Sequence, residues 1–268
     1  MSVALAVCAT PIGNLADVTL RVLEELAASE TVLCEDTRHT RVLLERHGIR
    51  ARLLSYHQHN EATRVSELVP RLVAGERIAL VSDAGLPGVN DPGARIVAAA
   101  LAAGVAVTVL PGPSAVETAL VVSGLAGEQY RFLGYLPRSE PDRAALWLEL
   151  GAWPHPTVAF ESARRLPASL ASLAAVEPER LVAVCRELTK AFEEVVSGPA
   201  VEIAERYSEA PRGEVTLVIG PSTRVADARA AIAAVIELVA AGTPRGVAAT
   251  VVSRLTGVPR NTLYRTSL

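Results

Sequence analysis

The sequence predicts an α/β fold of two sheet-and-helix blocks followed by a small helical module. Three observations predict it. Short apolar runs alternate with stretches of helical spacing, the pattern of a mostly parallel sheet covered on both faces. The alternation restarts after the turn "PGPSA". The chain then changes charge: Pro221–Leu268 carries six arginines against Asp227 and Glu237, a net of +4, leaving −7 for residues 1–220 in a chain of net −3. A basic module appended to an acidic body is the expectation.

The first block, residues 1–112, has strand-like runs "VALAVCA", "TVLC", "RIALVS" and "VAVTVL". Helical patterns lie between them at about 17–28, 37–47, 61–74 and 91–103. Asp17 before "VTLRVLEEL" and the pair Asp91-Pro92 read as helix starts. The second block, 113–220, has strand runs "YRFLGYL", "PTVAFE", "RLVAVCR" and "EVTLVIG", with helices at about 139–150 and 163–175. In the tail module, 221–268, a helix at about 225–241 precedes Ala248, Val251, Val252 and Leu255 at helical spacing. "TGVP" turns the chain and Asn261–Ser267 resumes a helical pattern. Two short helices joined by a glycine-containing turn resemble a helix-turn-helix. A helical hairpin that packs or dimerises fits the same pattern.

Composition excludes several classes. Half the residues are apolar, 21% are charged and 4% are aromatic, so the chain is globular with a core of Ala, Val and Leu. Cys8, Cys34 and Cys185 stand far apart without a CxxC pair, as buried free thiols of a reducing cytoplasm do. The first residues lack a basic signal-peptide region. The longest apolar run, 96–110, contains Gly104 and stops at Pro111, too short for a bilayer. A cytoplasmic protein with no membrane contact is expected.

Three strands of the first block end in Gly/Pro turns, "TPIGN", "DAGLPG" and "PGPSA". Glycine lets a ligand approach backbone closely, and open parallel sheets bind ligands beyond the carboxyl ends of their strands. One crevice for an extended small molecule follows. The chain has neither GxGxxG nor GxxxxGK[ST], so a neutral or zwitterionic nucleoside suits these turns better than a polyphosphate.

Eight motifs, "ATPIGNLADVTLR", "CEDTRHTRVLL", "SYHQHNE", "VSDAGLPGVNDPG", "PGPSA", "GYLPR", "FESARR" and "RELTKAFEE", occur in this order. Together they resemble the tetrapyrrole-methylase superfamily, and within it the small-subunit rRNA (cytidine-2′-O)-methyltransferase branch. The resemblance covers Val3–Gly220. It implies a two-domain class III methyltransferase fold, S-adenosylmethionine in the cleft between domains, a homodimer, and a cytidine of the decoding region of 16S rRNA in the small ribosomal subunit as substrate. By the same resemblance Pro11, Gly13, Asp83, Ala84, Gly85, Ser114, Ala115, Phe160 and Leu188 contact the cofactor. Leu86 stands where the family pattern has threonine. "ESARR" replaces "ESPHR" but keeps Glu161 and Arg165.

A ribose 2′-hydroxyl is a poor nucleophile, so its proton needs an acceptor or its alkoxide a stabilising charge. Lys190 is the single lysine beside 25 arginines. An amine loses its proton readily on desolvation and a guanidinium does not. Lys190 is therefore the candidate base, stabiliser or phosphate anchor, with Glu187 orienting it; survival by chance on a solvated helix is the alternative. His57, His59, Asn60 and Glu61 of "SYHQHNE" read either as substrate-side hydrogen-bonding groups or as a structural turn capping the helix after it. Glu61 stands near the two histidines, but no cysteine or third histidine accompanies them and methyl transfer needs no metal, so none is expected. Arg38 and Arg41, three apart on one helix, fit phosphate contacts or pairing with Glu35 and Glu45. Arg164, Arg165 and the tail's Arg245 and Arg260 are further RNA candidates. Two competing functions remain: a tetrapyrrole (corrin or sirohaem precursor) C-methyltransferase, and a non-enzymatic nucleic-acid-binding regulator.

Overall fold

The computed structural model describes residues 4–222 and 228–267. The chain divides into two compact units, Met1–Thr118 with Leu188–Ala191, and Ala119–Glu187 with Phe192–Leu268. Residues after 220 thus belong to the second unit.

In the first unit, β1 (Leu5–Cys8), β2 (Thr31–Cys34), β3 (Arg52–Ser55), β4 (Ile78–Leu80) and β5 (Val107–Leu110) form one sheet in the order β3-β2-β4-β1-β5, every pairing parallel. The connections carry α1 (Leu20–Ala28), α2 (Thr37–Arg46), α3 (Glu61–Val73) and α4 (Ala94–Ala102). Side chains alternate between two buried clusters. Leu5, Val7, Leu33 and Leu80 join Ile96 on one face; Ala6, Cys8, Val32 and Ala79 join Val22 on the other. Burial on both faces is why these strands read as unbroken apolar runs. β3 escaped the sequence reading because it is a half-exposed edge of four residues, "RLLS".

Two helix starts differ from expectation. Asp17 lies in a 3-10 turn, Leu15–Asp17, and α1 is capped by Thr19, whose hydroxyl accepts from Val22 N at 3.2 Å. Val18 is extended, so the helix cannot begin before it. Asp91 and Pro92 precede α4 instead of opening it: Gly93 is the boundary residue, and its N–H donates to Glu61 Oε1 at 3.1 Å.

After α5 (Ala115–Val122), the second unit places β6 (Arg131–Tyr135), α6 (Glu140–Leu150), β7 (Thr157–Ser162), α7 (Leu166–Val176), β8 (Leu181–Arg186), β9 (Glu194–Pro199), α8 (Ala200–Arg206) and β10 (Glu214–Ile219). Its sheet order is β6-β7-β10-β8-β9, with only β6 and β7 parallel. Strand β9 carries Ser, Gly and Pro, which weaken its strand signature. Arg180 is fully buried. Its guanidinium pairs with Glu177 at 3.1 Å and donates to the carbonyls of Gly220 and Leu150, so the charge is completely used by the fold.

The last helices, α9 (Ala228–Ala240), α10 (Arg245–Thr256) and α11 (Arg260–Thr266), share a small core of Ala231, Val235, Ala248, Val252, Val258 and Leu263. Gly257 ends α10 in the left-handed region, as the "TGVP" turn foretold. Positions 225–227 of the expected helix, and Arg224, lie outside the described residues.

Candidate functional site

The three Gly/Pro turns follow β4, β1 and β5, which are adjacent and parallel. Their carboxyl ends therefore open on one edge. Thr10 and Gly85 exchange two backbone hydrogen bonds of 2.8 and 3.0 Å, and the Thr10 hydroxyl donates to Ser82 O at 3.0 Å. Gly85 has φ +74, and a Cβ built there would lie 3.8 Å from Pro113 O and 3.9 Å from Ile12 Cγ2. All three turns meet at that glycine. Ser114 ends the third turn and starts α5; its hydroxyl donates to Glu117, three residues on. Ala84 is exposed at this edge, whereas Pro11 is buried.

A second segment enters the first unit from far along the chain. Leu188 is buried, and Glu187 and Thr189 beside it have φ of 51 and 65, a conformation non-glycine residues adopt at a cost. The Thr189 hydroxyl accepts from Asn14 N at 3.0 Å. A Cβ on Gly13 would sit 2.6 Å from Lys190 Cγ and 2.8 Å from Leu188 O. Only glycine admits the lysine stem so close. Glu187 belongs to the second unit, where its carboxylate accepts from Glu214 N at 3.0 Å and lies against Gly213.

Carboxylates gather at the same edge of the first sheet. Burial pushes the Asp91 carboxyl up to about 6, with the charges of Glu35 and Asp83 adding to it. Burial also raises Glu35, reinforced by Asp83 and opposed by His57. Asp83 accepts from Asp36 N at 3.1 Å. The edge is electronegative, which fits a cationic sulfonium donor better than a phosphate chain. Leu86 packs against the apolar cluster of Leu5 and Leu80, so the side chain at this departure from the family pattern serves the core.

The other candidates are distributed as follows. Asn60 accepts from His57 N at 2.8 Å and donates to Ser55 O, a local turn before α3, and His59 is exposed there. Both histidines follow the end of β3. Arg38 pairs with Asp36 at 2.7 Å and Arg41 is exposed, both on α2. In the second unit, Phe160 packs edge-on against Phe132 and Tyr135. Arg164 is exposed, whereas Arg165 is tied to buried Glu161 at 2.5 Å and to Leu136 O. Arg245 opens α10 half-buried; Arg260 donates to Thr250 at 2.9 Å and lies over the Tyr264 ring. Sequence reasoning missed Thr10, Thr189 and Asp91. Thr189 stood in view inside "ELTK", and Asp91 was mistaken for a cap. Cys8, Cys34 and Cys185 are buried free thiols; burial raises all three, Cys8 and Cys185 to about 12, which makes them inert.

Comparison with known proteins adds the following. The profile described as Tetrapyrrole (Corrin/Porphyrin) Methylases matches residues 4–204. A Mesorhizobium japonicum protein named ribosomal RNA small subunit methyltransferase I is 44% identical over 98% of this chain and 90% of its own length. Its Escherichia coli O157:H7 namesake is 39% identical over 97% and 92%. Among solved structures, the methyltransferase CobJ is similar with a TM-score of 0.62 at 19% identity, covering 84% of this chain and 97% of that one. A uroporphyrin-III C-methyltransferase from Thermus thermophilus gives 0.56 at 20%, covering 81% and 94%.

Proposed function

The chain belongs to the tetrapyrrole (corrin/porphyrin) methylases, and from that premise we propose that it is an S-adenosylmethionine-dependent methyltransferase of small-subunit rRNA, acting on the 2′-hydroxyl of a cytidine in the decoding region of 16S rRNA. Relatives named small-subunit rRNA methyltransferase I, 38–44% identical over most of the chain, support the RNA substrate. The observation that carries the reading is structural: three Gly/Pro turns converge on Gly85 at an electronegative sheet edge, and the stem of the lone lysine crosses Gly13 beside them.

In this reading Pro11–Gly13, Asp83–Gly85, Ser114–Ala115 and Leu188 hold the cofactor through backbone groups and close packing, and Phe160 is a further contact that the family resemblance implies. The cofactor supplies an activated methyl group on a positively charged sulfur. Lys190 accepts the proton of the attacking hydroxyl or stabilises its developing charge, while Glu187 shapes the turn that presents it. Positioning of the acceptor does most of the remaining work, as in any displacement between two held reactants. Arg38, Arg41 and the C-terminal arginines contact phosphate. The protein works in the cytoplasm as a homodimer and without a metal.

A tetrapyrrole substrate is the second reading. The likeness to CobJ and to the uroporphyrin enzyme extends only to fold at 19–20% identity, and a carbon acceptor gives the lysine no hydroxyl to serve. The test is transfer of labelled methyl groups to small subunits lacking the modification, with mass-spectrometric mapping of the rRNA. One 2′-O-methylated cytidine in the decoding region is the expected product. Label on a corrinoid precursor, with none on the RNA, refutes the proposal.

A further inference from the structure

The first unit carries a concentration of positive charge that is mostly unmatched by acids. Residues 37–52, "TRHTRVLLERHGIRAR", contain five arginines and one acid, Glu45. That surplus of +4 equals the surplus of the whole 48-residue tail. It covers α2, the turn after it and the start of edge strand β3. Arg38, Arg41, Arg46, Arg50 and Arg52 are all exposed.

Three other arginines of this unit serve the fold. Arg64 meets Glu67 at 2.7 Å, Arg71 meets Glu76 at 2.5 Å, and Arg77 meets Glu25 at 2.7 Å. On α2 only Arg38 is matched, by Asp36. Among the described residues, the side chains of Arg41, Arg46 and Arg50 make no hydrogen bond or ion pair, and Arg52 acts on Glu76 only at a distance. At 100° per residue Arg38, Arg41 and Arg46 all fall on the outward half of α2, whose inward side is Thr40, Leu43 and Leu44. The helix is about 15 Å long. It starts directly after β2, at the carboxyl edge where the Gly/Pro turns open. Arg50 and Arg52 continue the charge beyond its far end. Exposed like charges repel and contribute no fold stability; what they do well is release counterions on meeting a polyanion.

We infer that the outer side of α2 with the start of β3, Arg38 through Arg52, is a docking track for the phosphodiester backbone of the substrate RNA, leading away from the catalytic edge. The inference rests on the proposed RNA substrate and adds a second RNA surface to the one proposed for the C-terminal arginines. Exposed His39 and His47 lie along the same track as further donors.

The experiment measures binding of the full chain to small ribosomal subunits and to naked 16S rRNA across a salt series. It compares wild type with the triple variant Arg46→Gln, Arg50→Gln, Arg52→Gln and with the matching triple lysine variant. Three lost phosphate contacts should make the slope of log K against log salt shallower by about 2 and weaken binding at least tenfold. The lysine triple should keep most of the slope, and calorimetric affinity for S-adenosylmethionine should be the same in all three. An unchanged slope on naked RNA overturns the inference, as does an effect confined to intact subunits, which would point to a ribosomal protein. Equal loss of RNA and cofactor affinity in both triples would assign these arginines to the fold and also overturn it. Salt-dependent RNA binding by a chain that transfers no methyl group would refute the proposed reaction and leave the track standing.

Discussion

Lys190 is held by its stem. Its Cγ lies where Gly13 has no side chain, in a segment fastened by Thr189 to Asn14 N. The position therefore tolerates a long side chain, and arginine can enter it without losing the fold. What arginine cannot do is give up a proton. Lys190→Arg should leave S-adenosylmethionine affinity intact and lower single-turnover methyl transfer about 100-fold or more, the range of lost general-base catalysis. Near-full transfer by the arginine variant would remove the lysine from the chemistry. Asp91 offers a test of the electronegative edge. Its folded pKa, about 6, lies above the ordinary carboxylate value of 3.8. The folded state thus binds the proton more tightly, and this group favours folding at low pH and costs stability as pH rises through about 4 to 6. Asp91→Asn removes that cost. Urea unfolding should show the variant gaining on wild type between pH 4 and pH 7; parallel behaviour at both pH values would deny the burial. Sequence inspection singled out Lys190 as a candidate because composition isolates it, but could not find the raised pKa of Asp91, whose burial is reinforced by the charges of Glu35 and Asp83 from two other strand ends.

Among the elements, turns were more legible than caps. "TPIGN", "DAGLPG" and "PGPSA" are marked by residues whose backbone limits are intrinsic, and each follows its strand where it was expected. Helix starts at Asp17 and Asp91 were misread because many polar residues can cap, and the choice falls to where the chain first becomes helical. Thr19 and Gly93 hold those places. Edge strands β3 and β9 were missed because half-exposed strands lack the continuous apolar run of central ones. The contact of the first turn with the Leu188–Ala191 segment, 175 residues away for Asn14 and Thr189, has no local signature at all. It yields a sharp prediction. Gly13→Val places carbon where Lys190 Cγ and Leu188 O already lie, so the segment must move at a cost of about 1–3 kcal/mol. The melting temperature should fall by a few degrees and methyl transfer should fall further than cofactor affinity. A valine variant with wild-type transfer would show that the close approach is not needed.

At the scale of the whole molecule, two sheets of different character share one chain. The first is entirely parallel and was readable from alternation of strand and helix. The second is mostly antiparallel, and its order β6-β7-β10-β8-β9 depends on pairings between distant segments that periodicity does not record. The site was legible to the extent that it is built from turns of the first sheet. Its convergence on Gly85 required the strand order β4-β1-β5, since any strand between β1 and β4 would have parted the turns. The central claim is that this convergence is a seat for S-adenosylmethionine. Calorimetric titration of that cofactor into wild type and Gly85→Val tests it most directly, with circular dichroism verifying that both remain folded. The account predicts one cofactor bound per wild-type chain and binding abolished in the variant, whose valine must occupy φ +74 at the meeting point of the three turns. A folded wild-type chain that takes up no cofactor, or a variant that binds as tightly as wild type, would contradict it.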